Sequence, residues 1–144
     1  MSVEANVAAT RRLFEDVWSQ GNLDAVDEIF AADYLDHVVQ GPEPRVVQGP
    51  EAFKQVVATF RTAFPDLHYT IDDLIATGDK VVTRFAARGT HRGAFMGLAP
   101  TGKSIAYTGI DIGRFENGRL AEAWASYDAL GLLQQLGLAN PPTP

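Results

Sequence analysis

The chain has 144 residues, the length of one domain able to bury roughly 68–70% of its unfolded surface. It contains no cysteine, which excludes disulfides, thiolate metal sites and a cysteine nucleophile. A net charge of −6 with an ordinary 46% apolar content describes a self-repelling globular protein and excludes the basic face that nucleic acid requires.

The opening stretch MSVEANVAATRRLF has an early acidic residue and no unbroken apolar run, so it does not read as a signal peptide. No segment approaches the ~18 apolar residues that span a bilayer. The expectation is a cytoplasmic protein without a membrane partner. Val7, Ala8, Leu13, Phe14, Val17 and Trp18 recur at helical spacing and predict a first amphipathic helix ending near Gly21. A short second helix, NLDAVDEIF, follows with Asn22 or Asp24 as its cap. DYLDHVV reads as extended, and QGPEPRVVQGP as a loop. Pro50 suits the first turn of a third helix, EAFKQVVATFRTAF, which Pro65 stops.

Beyond Pro65 the apolar period falls from 3.6 to 2. Leu67, Tyr69, Ile71 and Leu74 with Ile75 form one strand, KVVTRFAARGTH a second, KSIAYTGIDIGRF a third and RLAEAWASYD a last. TGD and ENG are the turns, GLLQQLGL adds a closing helical turn, and NPPTP is a frayed tail. Helices first and long strands afterwards predict an α+β fold, three N-terminal helices on one face of a curved, mainly antiparallel sheet. The space between the two layers suits a small-molecule pocket.

GLAPTGKS, residues 97–104, fits the phosphate-loop pattern letter by letter. A phosphate loop needs a buried strand before it and a helix N-terminus after it. Here SIAYTGIDI follows, an alternating strand pattern, so the segment reads as a hairpin connection stiffened by Pro100 with Gly102 at positive φ.

GTHRG, MGLAPTGK, the NGR turn and GLLQQLG, together with DYLDH and GPEAFKQVVATFRTAFPD earlier in the chain, occur in an order that resembles the SnoaL-like polyketide cyclases of the NTF2-like superfamily. The likeness runs from the first helix to Gly137 and implies one domain over residues 1–144 with an NTF2-like cone. For the true cyclases it implies a cofactor-free intramolecular aldol condensation, with an aspartate of the last strand as acid/base group. That position falls on Ala125, and the pocket histidine of the third strand falls on Asp111. A methyl moves no proton, so the resemblance leaves open both a cyclase, isomerase or hydrolase type of enzyme and a ligand-binding protein without catalysis.

With period 2, Tyr107, Gly109, Asp111 and Gly113 share a strand face. The glycines would leave room beside a carboxylate whose burial raises its pKa toward that of a general base. The alternative is an edge aspartate paired with Arg84, Arg88 or Arg114. His37, after Asp36, is the expected proton shuttle or oxyanion holder, or else a loop hydrogen-bonder. Tyr34 offers a hydroxyl or packing. Trp124 either stacks on a planar substrate or buries itself against a second subunit. Asp128 either contacts substrate or caps the closing helix, and His91 either contacts substrate or ties the hairpin backbone. The three histidines, His37, His68 and His91, lack an i,i+4 pair, so no metal site is expected. The expected partners are a small hydrophobic oxygenated molecule and a second copy of the chain, docked through an outer sheet face carrying Ile110 and Ile112.

Overall fold

A computed structural model describes residues 2–38 and 45–139. The first helix keeps its extent but changes pitch. α1 (Val3–Arg12) starts on Ser2, whose hydroxyl accepts from the Ala5 N–H at 3.0 Å, and passes into a π-helical turn, Leu13–Trp18. There Ser19 N–H reaches back five residues to the Phe14 carbonyl at 3.1 Å. Such widened turns concentrate at functional sites, and this one turns Leu13, Phe14 and Trp18 toward the interior cavity.

α2 (Asp24–Ile29) forms where expected, although neither Asn22 nor Asp24 supplies a capping side chain. β1 (Phe30–Val38) follows. The proline-rich stretch is only partly a loop, because Arg45–Gln48 form β2. Val46 and Val47 are β-branched and pair antiparallel with His37 and Asp36, which the turn residues around them concealed. Residues 39–44, the start of that loop reading, lie outside the described residues. α3 (Pro50–Ala63) carries Pro50 in its first turn and stops two residues before Pro65.

β3 (His68–Thr77), β4 (Lys80–Thr90), β5 (Ser104–Glu116) and β6 (Arg119–Tyr127) complete one sheet in the order β2-β1-β6-β5-β4-β3. Only β1 and β6 run parallel. A bulge between Ile71 and Asp73 shifts the face on which β3 places its apolar residues: Leu74 packs inward while Ile75 is exposed. The β5–β6 turn has Asn117 at φ 52° and Gly118 at φ 80°, the paired positive values of a tight hairpin. α4 (Ala129–Leu136) closes the fold and buries Leu132 and Leu136.

The result is the α+β arrangement expected, with helices on the concave face of a curved sheet. GLAPTGKS leads directly into β5 and no helix follows it, so the helix N-terminus that would hold a phosphate is missing. Gly102 has φ 73°, and the connection is closed by His91 N–H to the Lys103 carbonyl and Gly102 N–H to the His91 carbonyl. Arg61 on α3 clamps the other layer. Its guanidinium donates to the carbonyls of Trp18, Ser19, Leu67 and Pro65 at 2.9–3.1 Å, satisfying chain ends that helix geometry leaves open. Among the described residues no helix is long and apolar enough to cross a membrane.

Candidate active site

A cavity of about 90 Å³ lies between the helices and the concave sheet face, and an outer chamber of about 440 Å³ adjoins it. Arg45, Val56, Phe60 and Tyr127 line both. Together they fall within the roughly 300–1,000 Å³ range of small-molecule pockets.

Strand parity decides who enters. On β1, Tyr34, Asp36 and Val38 face the cavity; on β5, Tyr107 and Asp111; on β6, Ala125 and Tyr127. Asp111 and Ala125 are register partners, and Asp36 is paired with Ala123 on the same strand β6. Opposite the two carboxylates, β6 therefore presents the methyl groups of Ala123 and Ala125, with Tyr127 further along the same face. The vacancy at Ala125 has a structural consequence: two acids from the flanking strands overlook one low alanine floor.

Asp111 makes no hydrogen bond or ion pair with any described residue. Arg84 is paired with Asp72, and Arg114 with Glu116 and Glu122, so the edge pairing weighed for Asp111 does not form with them. Its surface opens on the cavity rather than on bulk water, and burial pushes its pKa up to about 7, with the charge of Asp36 adding to the rise. Burial likewise lifts Asp36 to about 6, opposed by the Tyr34 hydroxyl and the charge of His37. Asp36 Oδ1 is buried without a hydrogen-bond partner. Tyr34, 1% exposed, is held protonated well above the ordinary phenol range, first by burial and then by the two carboxylates. The room beside Asp111 does not come from Gly109. A Cβ there would stand 2.5 Å from Phe85 Cζ and 2.7 Å from the Ser126 carbonyl, so Gly109 is needed for the close approach of that ring.

Four expected site residues lie elsewhere. His37 has the opposite parity to Asp36 and sits on the convex face, where Nε2 bonds Glu122 Oε2 at 2.7 Å and the ring stacks on Trp124 at 5.5 Å. Trp124 is therefore also outside the cavity, as alternation from Ala125 requires. Asp128 caps α4, its Oδ1 accepting from Gly131 N–H at 2.9 Å. His91 is fully buried apart from the cavity, with Nδ1 bonded to the Thr101 hydroxyl at 2.9 Å and accepting Thr101 N–H at 3.2 Å. Tyr34, Tyr107 and Asp111 do meet. Asp36, Tyr69, Tyr127 and Arg45 join them in the cavity lining. Counting by two from Tyr34 selects Asp36 rather than His37, and that signal was present in the sequence.

A family model for SnoaL-like polyketide cyclases matches residues 8–136. The chain belongs to that family. It is 29% identical, over 95% of its length and 94% of the relative, to aklanonic acid methyl ester cyclase AcmA of Streptomyces galilaeus. Wild-type IdmH from Streptomyces antibioticus has 31% identity, a TM-score of 0.75 and coverage of 95% of this chain and 99% of that one. AclR from Streptomyces galilaeus superposes with a TM-score of 0.85 over 99% of this chain and 87% of its own, at 24% identity, a likeness of fold.

Proposed function

We propose that the protein is a cofactor-free cyclase-type enzyme that closes a ring within a hydrophobic, oxygenated substrate by acid/base chemistry, with Asp111 as the base. The supporting observation is the unpaired Asp111 carboxylate, buried and facing an open cavity. A ligand-binding protein would gain nothing from that arrangement, because an unpartnered buried carboxylate is costly.

Two acids with apparent values of about 6 and about 7 titrate as a pair. Near neutrality the pair shares one proton, and the reactive form is the one with Asp111 ionised and Asp36 protonated, which the two values make about a tenfold minority of the singly protonated site. Asp111 takes a proton from the carbon beside a carbonyl. The electron pair of that C–H bond forms a new C–C bond to a second carbonyl of the same molecule, whose oxygen becomes an alkoxide. Asp36 in its protonated form gives that alkoxide its proton. The product is an isomer of the substrate, so no oxidant or reductant is required. The reaction class agrees with the name of the AcmA relative, and the alanine floor at 123 and 125 lets acids from β1 and β5 stand in for the aspartate of the last strand.

The same reading includes a pair of chains joined through the convex sheet face. Val46, His37, Trp124, Ile112, Val82 and Ile75 are consecutive register partners across all six strands. Such a continuous, largely apolar row supports docking of a second copy.

The test offers purified protein aklanonic acid methyl ester, the compound in the relative's name, and separately a 1,3-diketone in deuterium oxide. Ring closure without change of mass, or α-hydrogen exchange, is expected above the buffer rate and is expected to fall at least a hundredfold in Asp111→Asn. Activity undiminished in Asp111→Asn would remove the assignment, and absence of both reactions in the unaltered protein would favour the binding reading.

A further inference from the structure

Tyr69 and Tyr107 face each other across the cavity wall with their hydroxyl oxygens 2.7 Å apart. Each residue is nearly buried, at 7% and 4% exposure. Two hydroxyls carry two protons, and one proton suffices for the bond between them. Whichever oxygen donates, the pair keeps one O–H with no other acceptor among the described residues. That spare donor belongs to a residue of the cavity lining.

We propose that the Tyr69–Tyr107 pair is the oxyanion-holding group of this cavity and that the substrate enters with an enolisable carbonyl oxygen against it. The proposal rests on the acid/base reading of Asp111 given above and adds where the displaced charge goes. When Asp111 removes the α-proton, the C–H electron pair moves toward carbon and the carbonyl π pair moves onto oxygen. The resulting enolate oxygen accepts the spare hydroxyl proton as a hydrogen bond. The charge returns to carbon when the new bond forms, and the tyrosines end protonated as they began.

Three features fit the pair for this role. Burial, first among the causes, keeps both phenols protonated above their ordinary range, and the Asp111 charge is among the influences on Tyr69. They are donors at neutral pH, and their hydroxyls lie within the field of the base. A hydroxyl that also accepts a hydrogen bond is a stronger donor, so the pair exceeds a lone tyrosine. The rings are also fixed: Tyr69 stacks on Trp18 at 5.1 Å and meets Phe85 at 5.2 Å, and Tyr107 meets Tyr127 at 5.4 Å. A fixed donor spends no reorganisation during the reaction. The remaining phenols serve this role less well, since burial and the charges of both Asp36 and Asp111 make Tyr34 a weaker acid and Tyr127 stands at the boundary with the outer chamber.

Binding of two single-ring probes tests the assignment: 4-nitrophenol, which presents an ionisable oxygen, and nitrobenzene, the same ring without it. The unaltered protein is expected to prefer 4-nitrophenol. The double variant Tyr69→Phe/Tyr107→Phe is expected to lose about ten- to hundredfold of that preference, while its affinity for nitrobenzene stays within a factor of about three and reports an intact cavity. Each single variant, Tyr69→Phe or Tyr107→Phe, should lose part of the preference, which keeps the test available if the double variant does not fold. Preference retained in the double variant, or absent from the unaltered protein, overturns the proposal. Asp111→Asn separates the two readings: tyrosine-dependent preference persisting there upholds the oxyanion group even where deuterium exchange shows that Asp111 is not the base.

Discussion

Replacing Asp111 with asparagine should make the protein more stable in a window of pH that the site itself defines. The native carboxyl titrates at about 7 against an ordinary value of 3.8. Between those values the native state holds a proton that the unfolded chain has released, so stability falls as pH rises. Each pH unit is worth about 1.4 kcal/mol, and the full passage costs the native protein up to about 4 kcal/mol. Asparagine keeps the shape and cannot ionise. Urea unfolding from pH 4 to 8.5 should therefore show Asp111→Asn close to the unaltered protein at pH 4 and up to about 4 kcal/mol more stable at pH 8. In thermal melts the gain would be on the order of 10 °C for a domain of this size. Glu122 and Asp66, whose values are lowered, lose their contributions only as pH falls below the ordinary carboxyl range, outside this window. Parallel stability curves for the two proteins across pH 4 to 8 would refute the reasoning, because they would mean that Asp111 ionises in the native state as freely as in the unfolded one.

Thr83 pairs with Asp111 across β4 and β5 and buries a hydroxyl without a hydrogen-bond partner, so Thr83→Val should stabilise by about 1 kcal/mol in urea unfolding. A loss of that size would reveal a hydrogen bond to the hydroxyl. Arg61→Met keeps the aliphatic stem but abandons the carbonyls of Trp18, Ser19, Leu67 and Pro65, and should cost about 2–4 kcal/mol; a cost below about 0.5 kcal/mol would show that water replaces the clamp. Ile112→Glu at the middle of the convex row should halve the sedimenting mass if that face joins two copies, leaving urea stability within about 1 kcal/mol. An unchanged mass would remove the pairing proposal. The pH profile of turnover should be bell-shaped, its two limbs set by the carboxyl pair's apparent values of about 6 and about 7, and should lose that shape in Asp111→Asn. A profile level across that range would exclude these acids from the chemistry.

Much of the architecture is legible in the chain because it follows from local periodicity. The 3.6-residue recurrence ending at Pro65, the alternation from Leu67 onward and the Asn117–Gly118 turn each act within a few residues, and the structure follows them. The same alternation, applied to Tyr107 and Asp111, places both correctly. The errors arise where neighbouring residues compete for one direction. In DYLDH the eye goes to the histidine, yet once Tyr34 faces inward the pleat sends Asp36 inward and His37 outward. RVV was hidden by prolines and glycines because its strand character depends on the partner β1, which sequence proximity does not show.

What the sequence determined by itself is the order and type of the elements other than β2 and the π-helical turn, and the shared face of Tyr107 and Asp111. Tertiary structure alone decided that Ala123 and Ala125 lie between Asp36 and Asp111, that Tyr69 meets Tyr107, and that Arg61 reaches four separate carbonyls. Those relations join residues far apart in the chain, and only the pairing and curvature of the sheet bring them together. The pKa values of the two acids belong to the same class, since burial raises both and the charge of Asp36 adds to the rise at Asp111, and neither shift exists until the cavity has closed around them.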